Sequence, residues 1–96
     1  MVKEYIPKKG DLVILSKEPA LIVSNEVFNQ HVGLAIACPI TNTDRNFPFH
    51  VKVDSKQFTG FIMTEQIKSI DYKVRKVKFV EKVSDEVLDI VESVVF

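Results

Sequence analysis

The sequence holds one cysteine, no excess of either charge, and no apolar run long enough to cross a bilayer. Cys38 alone can build neither an intrachain disulfide framework nor a multi-cysteine metal site. It follows the apolar run Gly33-Leu34-Ala35-Ile36-Ala37, which predicts a buried, inert thiol and suits a reducing compartment. Thirteen Lys and Arg cancel thirteen Asp and Glu. Net charge therefore gives no support to nucleic-acid binding, while a local basic patch stays open. The N-terminus, Met1-Val2-Lys3-Glu4-Tyr5, lacks the apolar core of a signal peptide. No stretch approaches the roughly 20 apolar residues of a membrane helix. These absences predict a soluble, cytoplasmic protein with no membrane partner. Internal repeats, low-complexity segments and linkers are missing as well. His31 and His50 are isolated, and no metal-ligand spacing joins them to Cys38 or to a carboxylate pair. No metal and no cofactor is expected.

What is present is a globular composition. Of 96 residues, 46% are hydrophobic and 27% charged, which predicts one folded domain over 1–96 rather than a disordered chain. A core of this size is marginal alone, so a dimer interface is a natural supplement. Lys8-Lys9-Gly10-Asp11 signals a turn into the apolar run Leu12–Leu15. Ser16-Lys17-Glu18-Pro19 breaks that run before a second one, Ala20–Val23. Neither run alternates with polar residues, so both read as strands of a packed hairpin covered on both faces. Ser24-Asn25-Glu26 predicts one turn of helix through Asn29. A third strand covers Leu34–Cys38, and 39–46 form a polar loop. Strict alternation over 47–53 predicts a half-buried strand with Phe47, Phe49, Val51 and Val53 facing one way, and Pro48 marks part of it as an edge. Further strands follow at Thr59–Met63, Gln66–Ile70 and around Val77 and Phe79, where the alternation slips at Val80. From Ser84 the period becomes helical, with Val87, Leu88, Val91, Val94 and Val95 on one stripe and Ile90 beside it. Many short strands followed by one helix predict a mainly β fold, a small barrel with a C-terminal helix. Phe28, Phe47, Phe49 and Phe61 are expected in the core.

The tetrad Cys38-Pro39-Ile40-Thr41 ends a buried strand and delivers a hydroxyl to its rim. It is preceded by Gly10-Asp11-Leu12-Val13 and Pro19-Ala20-Leu21-Ile22-Val23-Ser24-Asn25, and followed by Phe47-Pro48-Phe49 and Glu65-Gln66-Ile67-Lys68-Ser69-Ile70. In that order these motifs resemble the MazF/PemK family, the toxin ribonucleases of toxin–antitoxin pairs. The resemblance runs over almost the whole chain. It implies an SH3-like β-barrel with short helices, usually a homodimer. It also implies metal-free, sequence-selective cleavage of single-stranded RNA, a cognate antitoxin that blocks the groove, and DNA binding by the toxin–antitoxin complex.

RNA carries its own nucleophile, the 2′-hydroxyl, so the enzyme supplies a proton acceptor, a cation for the phosphorane and a donor for the departing 5′-oxygen. Thr41 matches the family threonine and is the expected catalytic residue, although a threonine after a strand also forms turns. Asn42 and Thr43 continue the loop, as phosphate contacts or as an Asx-type turn. Arg45 is the expected phosphate contact of that loop. Gln66 matches a family glutamine and reads either as a reader of base edges or as a polar strand start. The family arginine before Pro19 is replaced by Glu18, and only Ser16-Lys17-Glu18 separates Leu15 from Pro19 where the family carries a longer loop. A carboxylate there repels phosphate; it can accept a proton but cannot stabilise a phosphorane. Lys17 is the substitute cation, without the guanidinium fork. The chain is thus either a shortened, attenuated relative that binds without cutting, or its sequence lacks a loop between Ser16 and Pro19. Lys68 reads as a solvated strand residue. Lys73, Arg75, Lys76 and Lys78, with Tyr72, read as a charged edge strand before they read as an RNA patch.

Overall fold

The structure, a computed structural model, describes residues 4–43 and 48–96. Its elements run β1 (Asp11–Leu15), β2 (Glu18–Ile22), α1 (Glu26–Val32), β3 (Ala35–Thr41), β4 (His50–Asp54), β5 (Thr59–Met63), a 3-10 turn (Thr64–Gln66), β6 (Lys68–Ile70), β7 (Lys78–Lys82) and α2 (Asp85–Val95). The strands form one antiparallel sheet in the order β4-β5-β3-β2-β1-β7, with β6 paired to the start of β3. The sheet curls into a half-barrel. Its two outer strands are bridged by side chains: Ser55, just after β4, donates to the Glu81 carboxylate on β7.

The apolar runs lack polar alternation because β1, β2 and β3 are covered on both faces. Leu12, Leu21, Cys38 and Ile40 pack with Ile62 and with Val91 of α2. Val13, Leu15, Ala20, Ala35 and Ala37 pack on the opposite face with Ile70 and Tyr72. Ser84 caps α2 by accepting the Val87 N–H at 3.2 Å, an arrangement worth about 1 kcal/mol. Val87, Leu88, Val91 and Val95 turn toward the sheet, whereas Val94, expected on that stripe, is 40% exposed.

Five expectations are corrected. The third strand runs Ala35–Thr41, so 39–41 belong to it and not to the polar loop. Helix α1 has two turns rather than one. Asn25 caps it through the Phe28 N–H at 2.8 Å, and Gly33 at φ 79° ends it, a left-handed position that glycine takes without a Cβ penalty. The extra turn is anchored by buried Asn29, whose Nδ2 donates to the carbonyls of Pro7 (2.8 Å) and Ser24 (3.2 Å). Tyr72 Oη donates to the Asn29 carbonyl at 2.9 Å. A helix held by a buried amide carries no apolar stripe, so its length was invisible to periodicity. The fourth strand begins at His50, after a turn at 48–49, and Phe47 lies outside the described residues; Val51 and Val53 are buried as expected, but Phe49 lies in that turn and is 53% exposed. Phe28 is also surface-exposed rather than core. The sixth strand begins at Lys68, because Thr64–Gln66 form the 3-10 turn. The slip at Val80 is a bulge: Leu12 faces Glu81 and Val13 faces Phe79, with Val80 the extra residue.

Candidate functional site

Strand β3 sorts its side chains by alternation. Cys38 and Ile40 enter the core under α2, so Pro39 and Thr41 face the other way. On the neighbouring strand Ala20 pairs with Pro39, Leu21 with Cys38 and Ile22 with Ala37. Continuing that register by two residues sets Glu18 across from Thr41, on the same face. On the other side, β5 pairs Phe61 with Thr41 and Ile62 with Ile40. Gly60 makes this approach feasible: a Cβ there would lie 2.7 Å from the Thr41 carbonyl oxygen and 2.9 Å from Ile40 Cγ2. The glycine therefore fixes where Thr41 sits.

The connection before Glu18 is a two-residue hairpin. Leu15 pairs with Glu18, and Ser16 and Lys17 occupy the turn at φ 48° and 79°. Two positive φ values are the signature of a type I′ turn, normally filled by Asn and Gly. The short break between the first two strands is thus a folded turn, held in left-handed geometry by residues that carry a Cβ.

Beside this turn lies an open groove of about 550 Å³. Its lining includes Lys17, Glu18, Thr41, Asn42, Met63 and Lys68. Three sequence-predicted residues, Thr41, Asn42 and Lys17, are therefore brought together from β3, the loop after it and the β1–β2 hairpin. Thr41 Oγ1 accepts the backbone N–H of Thr43 at 3.2 Å, and Thr43 Oγ1 donates to Asn42 Oδ1 at 3.3 Å. The turn-forming reading of this loop is realised, with the Thr41 oxygen as acceptor of the turn. Arg45 lies outside the described residues. Gln66 is exposed at the end of the 3-10 turn, and it is not among the groove-lining residues although Met63 and Lys68 on either side of it are.

Two groups border the groove without opening into it. His50 pairs with Met63 across β4 and β5, and its Nε2 lies 2.9 Å from Glu65 Oε2. Cys38 is fully buried behind Thr41, and burial, with the Glu65 charge second, pushes its thiol up to about 11. The basic residues Lys73, Arg75 and Lys76 belong to the β6–β7 connection, where Asp71 Oδ1 accepts the N–H groups of Lys73 and Val74 at 3.2 Å. Lys78 opens β7, an outer strand, in keeping with positive charge protecting an edge. Among the described residues no group of three or more His, Cys, Asp and Glu could hold a metal ion, and no helix is long and apolar enough to cross a membrane.

Lys68, read as a solvated strand residue, is exposed at the start of β6 as expected, and its register opposite Ala37 also sets it on the Thr41 face beside the groove. Sequence reasoning missed one contributor. Gly60 gave no signal as a spacer, because its role depends on a carbonyl 19 residues away in sequence.

Known proteins resemble this chain along nearly its whole length. The family model described as PemK-like, MazF-like toxin of type II toxin-antitoxin system matches residues 8–95. The endoribonuclease toxin MazF of Escherichia coli strain K12 is 25% identical over 104 residues, covering 97% of this chain and 94% of that protein. An alignment of 104 positions against a chain of 96 leaves at least eight positions that the relative fills and this chain does not. The crystal structure of a MazE–MazF complex from Deinococcus radiodurans superposes with a TM-score of 0.90 at 29% identity, covering 95% of this chain and 93% of that one. MazF alone from the same organism gives a TM-score of 0.90 at 26% identity, covering 96% and 94%.

Proposed function

We propose that this chain, which belongs to the PemK-like, MazF-like toxins of type II toxin–antitoxin systems, is an endoribonuclease toxin that cuts single-stranded RNA in the groove beside Thr41. The observation that carries the site is the convergence of Thr41, Asn42 and Lys17 on one groove, from segments 24 residues apart in sequence. The reaction needs no metal. The RNA 2′-hydroxyl loses its proton to water as its oxygen attacks the neighbouring phosphorus, the bond from phosphorus to the 5′-oxygen breaks, that oxygen takes a proton from water, and a 2′,3′-cyclic phosphate and a 5′-hydroxyl result. The Thr41 hydroxyl donates to a non-bridging phosphate oxygen, held in place by the Thr43 N–H that its own oxygen accepts. Lys17 sets its charge against the phosphorane, where pre-placed positive charge lowers the barrier most. Asn42 contacts the adjacent phosphate, and Gln66 and Arg45 add further contacts to the RNA. In this reading residues 1–96 act as one domain, as a homodimer in the cytoplasm, restrained by a cognate antitoxin and binding DNA only together with it.

Glu18 favours a second reading. Its carboxylate lines the same groove and opposes the phosphate that Thr41 holds, and a lysine cannot replace the planar fork of an arginine. An attenuated binding module would keep the fold and a protein or nucleic-acid partner without turnover. Incubation with a long single-stranded RNA in EDTA separates the two. Fragments ending in cyclic phosphate support the enzyme. Intact RNA, with tight binding of an acidic antitoxin peptide, supports the module.

A further inference from the structure

We propose that Lys68 is a second phosphate-binding residue of the groove and that, with Lys17, it forms a two-point clamp on the backbone of single-stranded RNA across Thr41. This rests on the reading of the groove as the RNA site. Three observations carry it. Lys68 opens β6 and pairs with Ala37 on β3; Ala37 and Thr41 lie on the same face of that strand, four residues apart, or about 13 Å at the usual strand rise. Lys17 approaches Thr41 from the opposite side, on the β1–β2 hairpin. The hydroxyl is thus flanked by two cations, one from the β1–β2 turn and one from β6. Among the described residues neither lysine is in an ion pair, whereas Lys8, Lys9 and Lys82 each hold a carboxylate. The charge of Lys17 and Lys68 is uncommitted, in a groove whose lining carries a single carboxylate, Glu18.

The backbone of Lys17 adds weight. At φ 79° a glycine or asparagine is the residue of least strain. A lysine there carries a steric cost that its own fold does not require, and its side chain lines the groove. Strain of this kind collects where a side chain is used. A span of about 13 Å between Ala37 and Thr41 exceeds the reach of one phosphate group, so the two lysines meet different phosphates of an extended strand. An extended, single-stranded backbone suits that geometry, because base edges stay free for recognition elsewhere.

The test is a salt titration of binding to a fluorescent RNA whose 2′-positions are all O-methylated, so that it cannot be cut. Each phosphate contact on a single strand contributes about 0.7 to the slope of log affinity against log salt. Lys68→Gln and Lys17→Gln each lower the slope by about 0.7, and the double variant by about 1.4. Lys68→Arg restores it. Lys73→Gln, on the β6–β7 connection, leaves it unchanged, and thermal melts confirm that all variants fold. Equal losses for Lys73→Gln and Lys68→Gln, or an unchanged slope for Lys68→Gln, overturn the clamp. Cleavage of unmodified RNA by Thr41→Ala is measured alongside. Full cleavage by that variant overturns the reading of the groove itself, whatever the slopes show; loss of cleavage with an unchanged Lys68→Gln slope overturns the clamp alone.

Discussion

Glu18 and Thr41 stand across from each other on β2 and β3 when the register set by Ala20 and Pro39 is continued to the strand ends. A carboxylate and the Thr41 hydroxyl face the same groove. The arrangement puts negative charge where the substrate is negative, and it makes Glu18 the residue through which activity is most readily raised.

Glu18→Arg therefore accelerates cleavage. The substitution removes the repulsion and supplies a bidentate fork opposite Thr41. Removing a pre-placed donor from an oxyanion site costs about 10²–10³ in rate, so adding one here is expected to raise the rate by about tenfold or more. Glu18→Gln removes only the repulsion and tightens RNA binding without matching that gain. Single-turnover cleavage rates of the three proteins check the order, and an unchanged rate for Glu18→Arg contradicts it.

Gly60→Ala damages the site through the backbone. Its Cβ would meet the Thr41 carbonyl at 2.7 Å, and the neighbour is main chain, so β3 and β5 must separate. Overpacking of this kind costs about 1–3 kcal/mol. Cleavage falls further than the melting temperature predicts, because Thr41 itself is displaced. Parallel melts and cleavage assays at a temperature where the variant is fully folded test the split.

Lys17→Gly dissociates stability from function. Glycine relieves the left-handed strain at φ 79°, worth about 1–2 kcal/mol, against a loss of up to about 1 kcal/mol through the freer unfolded chain. Stability stays level or rises by about 1 kcal/mol, while RNA affinity drops. A denaturant titration paired with a binding isotherm decides it.

Cys38 makes the fold sensitive to alkali. Burial keeps its thiol protonated up to about pH 11 in the folded chain, against 9.0 when exposed. Between those values the unfolded chain has lost the proton and the folded chain has kept it, so stability is full below pH 9 and falls as pH rises toward 11. The contribution reaches about 2–3 kcal/mol. The Tyr5 hydroxyl, raised by burial and by its bond to Asp11, acts in the same sense at higher pH. Melting temperatures from pH 8 to 11 should fall less steeply for Cys38→Ala than for the parent, and iodoacetamide should label the native thiol only at the rate of unfolding.

The barrel was legible in the sequence because doubly buried strands write unbroken apolar runs: Leu12–Leu15 and Ala20–Val23 gave β1 and β2 within a residue or two. Thr59–Met63 matched β5 at both ends. The missed parts share one cause, which is that they depend on contacts between distant residues. Asn29 reaches Pro7 and Tyr72, and no local pattern announces a helix anchored that way. Phe49 alternates correctly with Val51 but leaves the strand, because its carbonyl accepts the Thr64 hydroxyl at 2.6 Å and the chain turns there. In the site, Thr41, Asn42 and Lys17 could be named from motif and spacing. Lys68 could not, because its place in the groove follows from a β3–β6 register set by tertiary pairing.

The central claim is that the hydroxyl of Thr41 serves RNA cleavage. The direct measurement compares the parent protein with Thr41→Ala on a long single-stranded RNA in EDTA, with fragment ends mapped and folding checked by thermal melt. The expected result is cyclic-phosphate ends from the parent and at least a hundredfold slower cleavage by the variant, on the scale of about 10²–10³ for a lost donor, with the melt unchanged to within about 1 kcal/mol. Equal cleavage by the two proteins would contradict the assignment.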